Sequence, residues 1–134
     1  MKSTRTEDQL ITESGAGGGS VDPSPLVGTW LNTDKRTGGI NKLILRQVDG
    51  ALLVRAFGAC DPDPCDWGEV RGDAFSNGIS SSEGMAFTAS FDFGFMETFI
   101  AVYLKGGILV LDSFNAFHDD SGRANYFSRE FFHS

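Results

Sequence analysis

The stretch "GMAFTASFDFGFMETFIAVYLKGGILVLDSFNAF", residues 84–117, decides the fold. Two turn signals, "FG" at 93–94 and "KGG" at 105–107, divide it into the runs 84–93, 95–104 and 107–117. Side chains of a strand point alternately to its two faces. In the first run Met85, Phe87, Ala89, Phe91 and Phe93 share one face against Ala86, Thr88, Ser90 and Asp92. The second sets Met96, Thr98, Ile100, Val102 and Leu104 against Phe95, Glu97, Phe99, Ala101 and Tyr103. The third sets Leu109, Leu111, Ser113, Asn115 and Phe117 against Ile108, Val110, Asp112, Phe114 and Ala116. These are consecutive strands joined by tight turns, and several carry apolar side chains on both faces.

Working outward, the same pattern gives strands at 26–32, 39–48, 51–59 and 66–75 before this stretch, and 124–132 after it. "DG" at 49–50 and "DDSG" at 119–122 supply further turns, and no span between strands carries a helical period. Eight short strands with nearest-neighbour connections predict an all-β, antiparallel, up-and-down barrel, because closure removes the exposed edges of a sheet. A β-sandwich is the alternative, and it would need long crossovers. The chain of 134 residues with 12 Phe and 17 Gly suits one such core joined by glycine turns. The predicted barrel covers 26–134. Residues 1–25 hold the acidic-apolar segment "DQLITE" (8–13) and the linker "GAGGGS" (15–20), a flexible composition.

A formal charge of −7 and a pI near 4.6 argue against nucleic acid and against anionic membranes. "MKSTRTEDQLITES" has no apolar core of a secretory signal, and no apolar run approaches the ~20 residues of a membrane span. The expected location is cytoplasmic. Cys60 and Cys65, in "CDPDPC", are spaced to close a small disulfide or to remain free thiols in a reducing compartment. His118 and His133 lie far from them in sequence, so no metal is expected, and no cofactor.

No G-x-S-x-G, H-E-x-x-H or phosphate loop occurs. Candidate chemistry rests instead on aromatic residues that can line an apolar pocket and on polar residues set among them. The first group is Trp30, Phe57, Trp67, Phe87, Phe91, Phe99, Phe114 and Phe127, with Met85 beside them. The second is Gln47, Arg55, Glu69, Glu97, Tyr103, Asp112 and Asn115. Glu97, Asp112 and Asn115 are the catalytic candidates, since a carboxylate beside phenyl rings resists ionisation and can hold or move a proton. The remaining residues of both groups, Phe127 apart, are candidates for binding. The alternative for each is a core or outward-facing side chain, with Arg55 pairing Glu69 as one example. A register slip of one residue reverses every facing.

At "GTW" (28–30), "GACDPDPCDWGEV" (58–70) and "SGRANYFSREFF" (121–132) the chain resembles a family of small bacterial lipocalin-like (calycin-type) β-barrels, over residues 26–132. With its N-terminal segment it is similar to the spirotetramate-forming [4+2] cyclases (Diels–Alderases) of bacterial polyketide biosynthesis. The resemblance implies a cofactor-independent cyclase that folds a polyene tetramate or tetronate in its barrel, with the N-terminal segment closing the mouth. Gln9, Leu10, Ile11 and Thr12 would then touch the substrate, with Leu10 and Ile11 as apolar anchors. Two other functions fit the sequence: a carrier of an apolar small molecule, and a filled barrel serving protein–protein interaction. The expected state is a monomer or homodimer.

Overall fold

The computed structural model describes residues 20–60 and 62–134. The strands are β1 (Gly28–Asn32), β2 (Ile40–Val48), β3 (Ala51–Gly58), β4 (Cys65–Phe75), β5 (Ala86–Asp92), β6 (Met96–Lys105), β7 (Ile108–Phe117) and β8 (Tyr126–His133). Each pairs antiparallel with its neighbour, and β8 returns to β1, closing an eight-stranded up-and-down barrel. The closing seam is short: Leu31 faces His133 and Asn32 faces Phe132, extended by the Thr33 N–H to the Phe131 carbonyl at 2.8 Å.

The predicted turns appear with the backbone their residues demand. Asp49 and Gly50 have φ of 51° and 81°, and Gly106 and Gly107 have φ of 59° and 81°. Two successive positive φ values match the right-handed twist of the flanking strands, hence the Asp-Gly and Gly-Gly pairs. Each closes a two-residue hairpin, between Val48 and Ala51 and between Lys105 and Ile108.

One end of the barrel is shut. A 3-10 turn, Ser24–Leu26, places Leu26 in the core, fully buried, and its carbonyl accepts from Trp30 Nε1 at 2.9 Å. Asp22 bridges to the β4–β5 connection through its N–H to the Ser82 carbonyl and through its carbonyl from Gly84 N–H, both 2.7 Å. A side chain at Gly84 would stand 2.7 Å from that carbonyl, so the close approach requires glycine. Docked structure thus begins ahead of the Leu26 start read from the sequence. The lid residues Gln9, Leu10, Ile11 and Thr12 lie outside the described residues.

Above Leu26 the interior is filled by inward side chains, among them Trp30, Leu43, Leu45, Val54, Phe87, Ile100, Leu111 and Phe132. At the other end are the connections β1–β2, β3–β4, β5–β6 and β7–β8. Cys60 and Cys65 are disulfide-bonded across the β3–β4 connection, with Cα atoms 5.5 Å apart.

Candidate functional site

The open half of the barrel holds a cavity of about 490 Å³ between the β1–β2 loop, Trp67 and the inner faces of β6, β7 and β8. That volume lies within the range of small-molecule sites. Trp67 and Met96 supply its apolar wall. Trp67 sits there because Gly58 leaves room: a Cβ on Gly58 would meet Trp67 Nε1 at 2.5 Å. The indole is held edge-on by Phe91 and Phe93, ring centres 5.5 and 5.1 Å away.

The opposite wall is polar. Thr98, Ser113 and Asn115 are buried, and Ser128 and Glu130 stand beside them on β8. Thr98 Oγ1 donates to Asn115 Oδ1 at 2.7 Å, and the Ser113 and Ser128 hydroxyls bond at 2.7 Å. Asn115 Nδ2 reaches only Ser113 Oγ at 3.3 Å and the Tyr126 carbonyl at 3.4 Å. Both are long for N–H donors, so this amide is the donor of the wall most open to a stronger acceptor. Glu130 secures the mouth: its carboxylate accepts from Asn32 Nδ2 at 2.8 Å, from the Ile40 N–H at 3.2 Å and from the Thr37 hydroxyl. It therefore ties β8 to both ends of the loop between β1 and β2.

Of the residues read from sequence, Asn115 and Trp67 line this cavity, and Phe91 buttresses Trp67 from below. Trp30 and Phe87 are core in the closed half. Met85 lies at the same closed end, bonded through its backbone to Phe75 and Leu104. Gln47 is exposed beside the β2–β3 turn.

The other candidates point outward. Glu97 is half exposed, 3.7 Å from His118 Nε2. Asp112 is clasped by Arg129 at 2.6 and 2.9 Å. That hydrogen-bonded guanidinium holds the Asp112 carboxyl below the usual range, the reverse of the raised value expected beside phenyl rings. Arg55 pairs with Asp66, while Glu69 pairs with Arg46 at 2.6 and 2.7 Å, so the expected Arg55–Glu69 ion pair is replaced by two others. Phe57 lies outside under Lys42, whose Nζ is 4.4 Å from the ring centre. Phe99, Tyr103 and Phe114 are exposed on the outer surface, as is Phe127.

The reason is common to all of these. Alternation separates two faces without saying which is inner, and in β6–β8 the aromatic face is the outer one. The polar set Thr98, Ser113, Ser128 and Glu130 went unread for the same reason. Its signal was present in "YFSREFF", where Ser128, Glu130 and the buried Phe132 alternate with exposed Phe127, Arg129 and Phe131.

Fold and site together define a closed β-barrel with a cavity of small-molecule size at its open end. Compared with protein-family models, with curated proteins and with solved structures, the chain matches none. Among the described residues no cluster of His, Cys, Asp or Glu is arranged to hold a metal, and no helix is long and apolar enough to cross a membrane.

Proposed function

We propose that the chain binds a polyene-bearing small molecule at the open end of its barrel and folds it for an intramolecular [4+2] cycloaddition. The observation that carries this is the two-sided cavity: an indole and thioether wall faces a wall whose Asn115 amide is weakly engaged. Such a reaction forms two carbon–carbon bonds within one molecule, with no net transfer of protons or electrons. The protein need only hold diene and dienophile together, and orientation alone contributes roughly 7–11 kcal/mol in well-aligned systems. Trp67 and Met96 press on the hydrocarbon. Asn115 Nδ2 donates to the carbonyl conjugated with the dienophile and draws electron density from it as the bonds form. A tetramate or tetronate supplies such a carbonyl, in keeping with the resemblance of a lipocalin-like barrel preceded by an N-terminal segment to spirotetramate-forming cyclases. Closure of the mouth by residues 8–13 belongs to the same proposal.

A carrier is the second reading. One observation favours it: the hydroxyls of Thr98, Ser113 and Ser128 are engaged with protein partners at 2.7 Å, so most of the polar wall can hold a ligand without acting on it. Incubation of the purified chain with a linear polyene tetramate separates the two. Formation of one stereoisomer of identical mass, faster than in buffer, supports the cyclase. Binding with the polyene recovered unchanged supports the carrier, and absence of binding overturns both.

A further inference from the structure

The outer face of β6–β8 inverts the usual pattern of a soluble barrel. Phe99, Phe114 and Phe127 stand in one row across the three strands, each 40% exposed or more. Tyr103 and Phe131 are the exposed members of a second row, with the buried Val110 between them, and between the two rows lies Ala101–Asp112–Arg129. Asp112 and Arg129 are the charges of that central row, and they neutralise each other. On the far side of the barrel, β2–β4 present Arg46, Arg55, Asp66 and Glu69 instead. A contiguous aromatic face of this kind marks an interaction surface.

We infer that this face joins two copies of the chain as an isologous dimer, its two-fold axis lying along the β7–β8 seam. The register supports that axis directly. Asp112 is opposite Arg129, Phe114 opposite Phe127 and Val110 opposite Phe131 across the seam. Rotation about an axis parallel to the seam places Asp112 of each copy over Arg129 of the other, turning two ion pairs into a ring of four alternating charges. It also stacks Phe114 on Phe127, so the β7 and β8 members of each row meet their complements, while β6 of each copy lies over β1 of the other.

The charge balance points the same way. The chain carries −7, and two copies repel wherever acidic surfaces meet; this face is neutral and lets them approach. Its extent is adequate. Centred on the seam, the footprint is β7 and β8 flanked by β6 and the shorter β1; strands ~4.8 Å apart at ~3.3 Å per residue then project roughly 500 Å². Side-chain relief raises this towards the ~600 Å² per partner of the smaller stable interfaces. A lipid surface would leave the Asp112–Arg129 pair in hydrocarbon without the second pair that surrounds it in the dimer.

Sedimentation velocity on the full chain tests this, with three variants: Phe114→Lys/Phe127→Lys, Asp112→Arg, and the swap Asp112→Arg/Arg129→Asp. The expected result is a species of twice the 14.5 kDa chain mass. The lysine pair and the single reversal should each weaken association by about thirtyfold or more, the loss typical of hot-spot side chains. The swap, which restores alternating charges, should return the dimer. Far-UV circular dichroism checks folding, and if the lysine pair does not fold, the reversal and its rescue carry the test. A wild-type monomer at the highest soluble concentration would overturn the inference. So would a dimer indifferent to all three variants, or flotation with phosphatidylcholine vesicles that the lysine pair abolishes while the protein alone stays monomeric.

Discussion

Thr98 on β6 and Asn115 on β7 are register partners, and the Thr98 hydroxyl donates to the Asn115 amide oxygen at 2.7 Å inside the barrel. That bond fixes which way the amide faces: with Oδ1 occupied, Nδ2 is left pointing along the polar wall towards Ser113 and Tyr126. A buried threonine thus orients the one donor that the proposed chemistry needs, in the way supporting hydrogen bonds orient the working groups of a site.

Asn115→Asp isolates this role, because the carboxylate keeps an acceptor for Thr98 and loses the donor. Turnover of a cyclising substrate is expected to fall about 10²–10³-fold, the usual cost of one such donor, with a smaller loss of binding. Steady-state kinetics with kcat and KM resolved separately would check this. A rise in KM alone, with kcat unchanged, would reduce Asn115 to a ground-state binding contact.

Glu130 governs the mouth rather than the chemistry. Removing its carboxylate strands one N–H of the Asn32 amide, whose other stays on the Ile40 carbonyl, together with the Thr37 hydroxyl proton and the Ile40 N–H. Glu130→Ala is expected to cost about 1–3 kcal/mol in urea unfolding, and to raise amide exchange over residues 33–40 ahead of the rest of the chain. Glu130→Gln keeps one acceptor oxygen and should fall between. Uniform exchange across the barrel would show that Glu130 does not anchor the loop separately.

How much of this was legible in the sequence follows from what alternation encodes. Every strand and the two-residue hairpin turns at Asp49–Gly50 and Gly106–Gly107 were readable, because period-two patterning and positive-φ residues are local properties. The closed topology followed from the short connections. The site was only partly readable. Large aromatic side chains are usually buried, which makes Phe99 and Phe114 pocket candidates, yet Thr98 and Ser113, one residue away on each strand, hold the interior. Arg55 stands opposite Glu69 yet pairs with Asp66, beyond a β-bulge between Arg55 and Phe57 that no local pattern announces.

The outer ion pairs should contribute to the loss of stability in acid. Hydrogen bonds from Arg129, Arg55 and Arg46 hold Asp112, Asp66 and Glu69 below their ordinary values of 3.8, 3.8 and 4.5. For a depressed carboxyl, the stabilisation is complete above the unfolded value and is lost as pH falls through the folded one. Thermal midpoints should therefore be flat from pH 7 to about 5, then decline below about 4. Asp112→Asn should make that decline shallower. The effect is modest and shrinks in high salt, since these pairs are solvent-facing. An Asp112→Asn melting profile parallel to wild type down to pH 2 would remove this pair from the acid response.

Gly58 offers the most selective probe of the cavity, since it acts on Trp67 without touching the polar wall. A methyl group at residue 58 would stand 2.5 Å from Trp67 Nε1 and 2.9 Å from Cε2, so the indole must move off β3. Its edge contacts with Phe91 and Phe93 are then disturbed together. Gly58→Ala is expected to destabilise by about 1–3 kcal/mol, the usual cost of overpacking, and to shift the tryptophan emission maximum. Trp67→Ala removes the same wall by truncation, leaving Gly58 unstrained. Binding of a polyene should weaken in both variants, measured by titration at a temperature where each is fully folded. If Gly58→Ala lowers the melting midpoint yet leaves affinity intact, Trp67 is a core residue of the mouth and the ligand lies elsewhere.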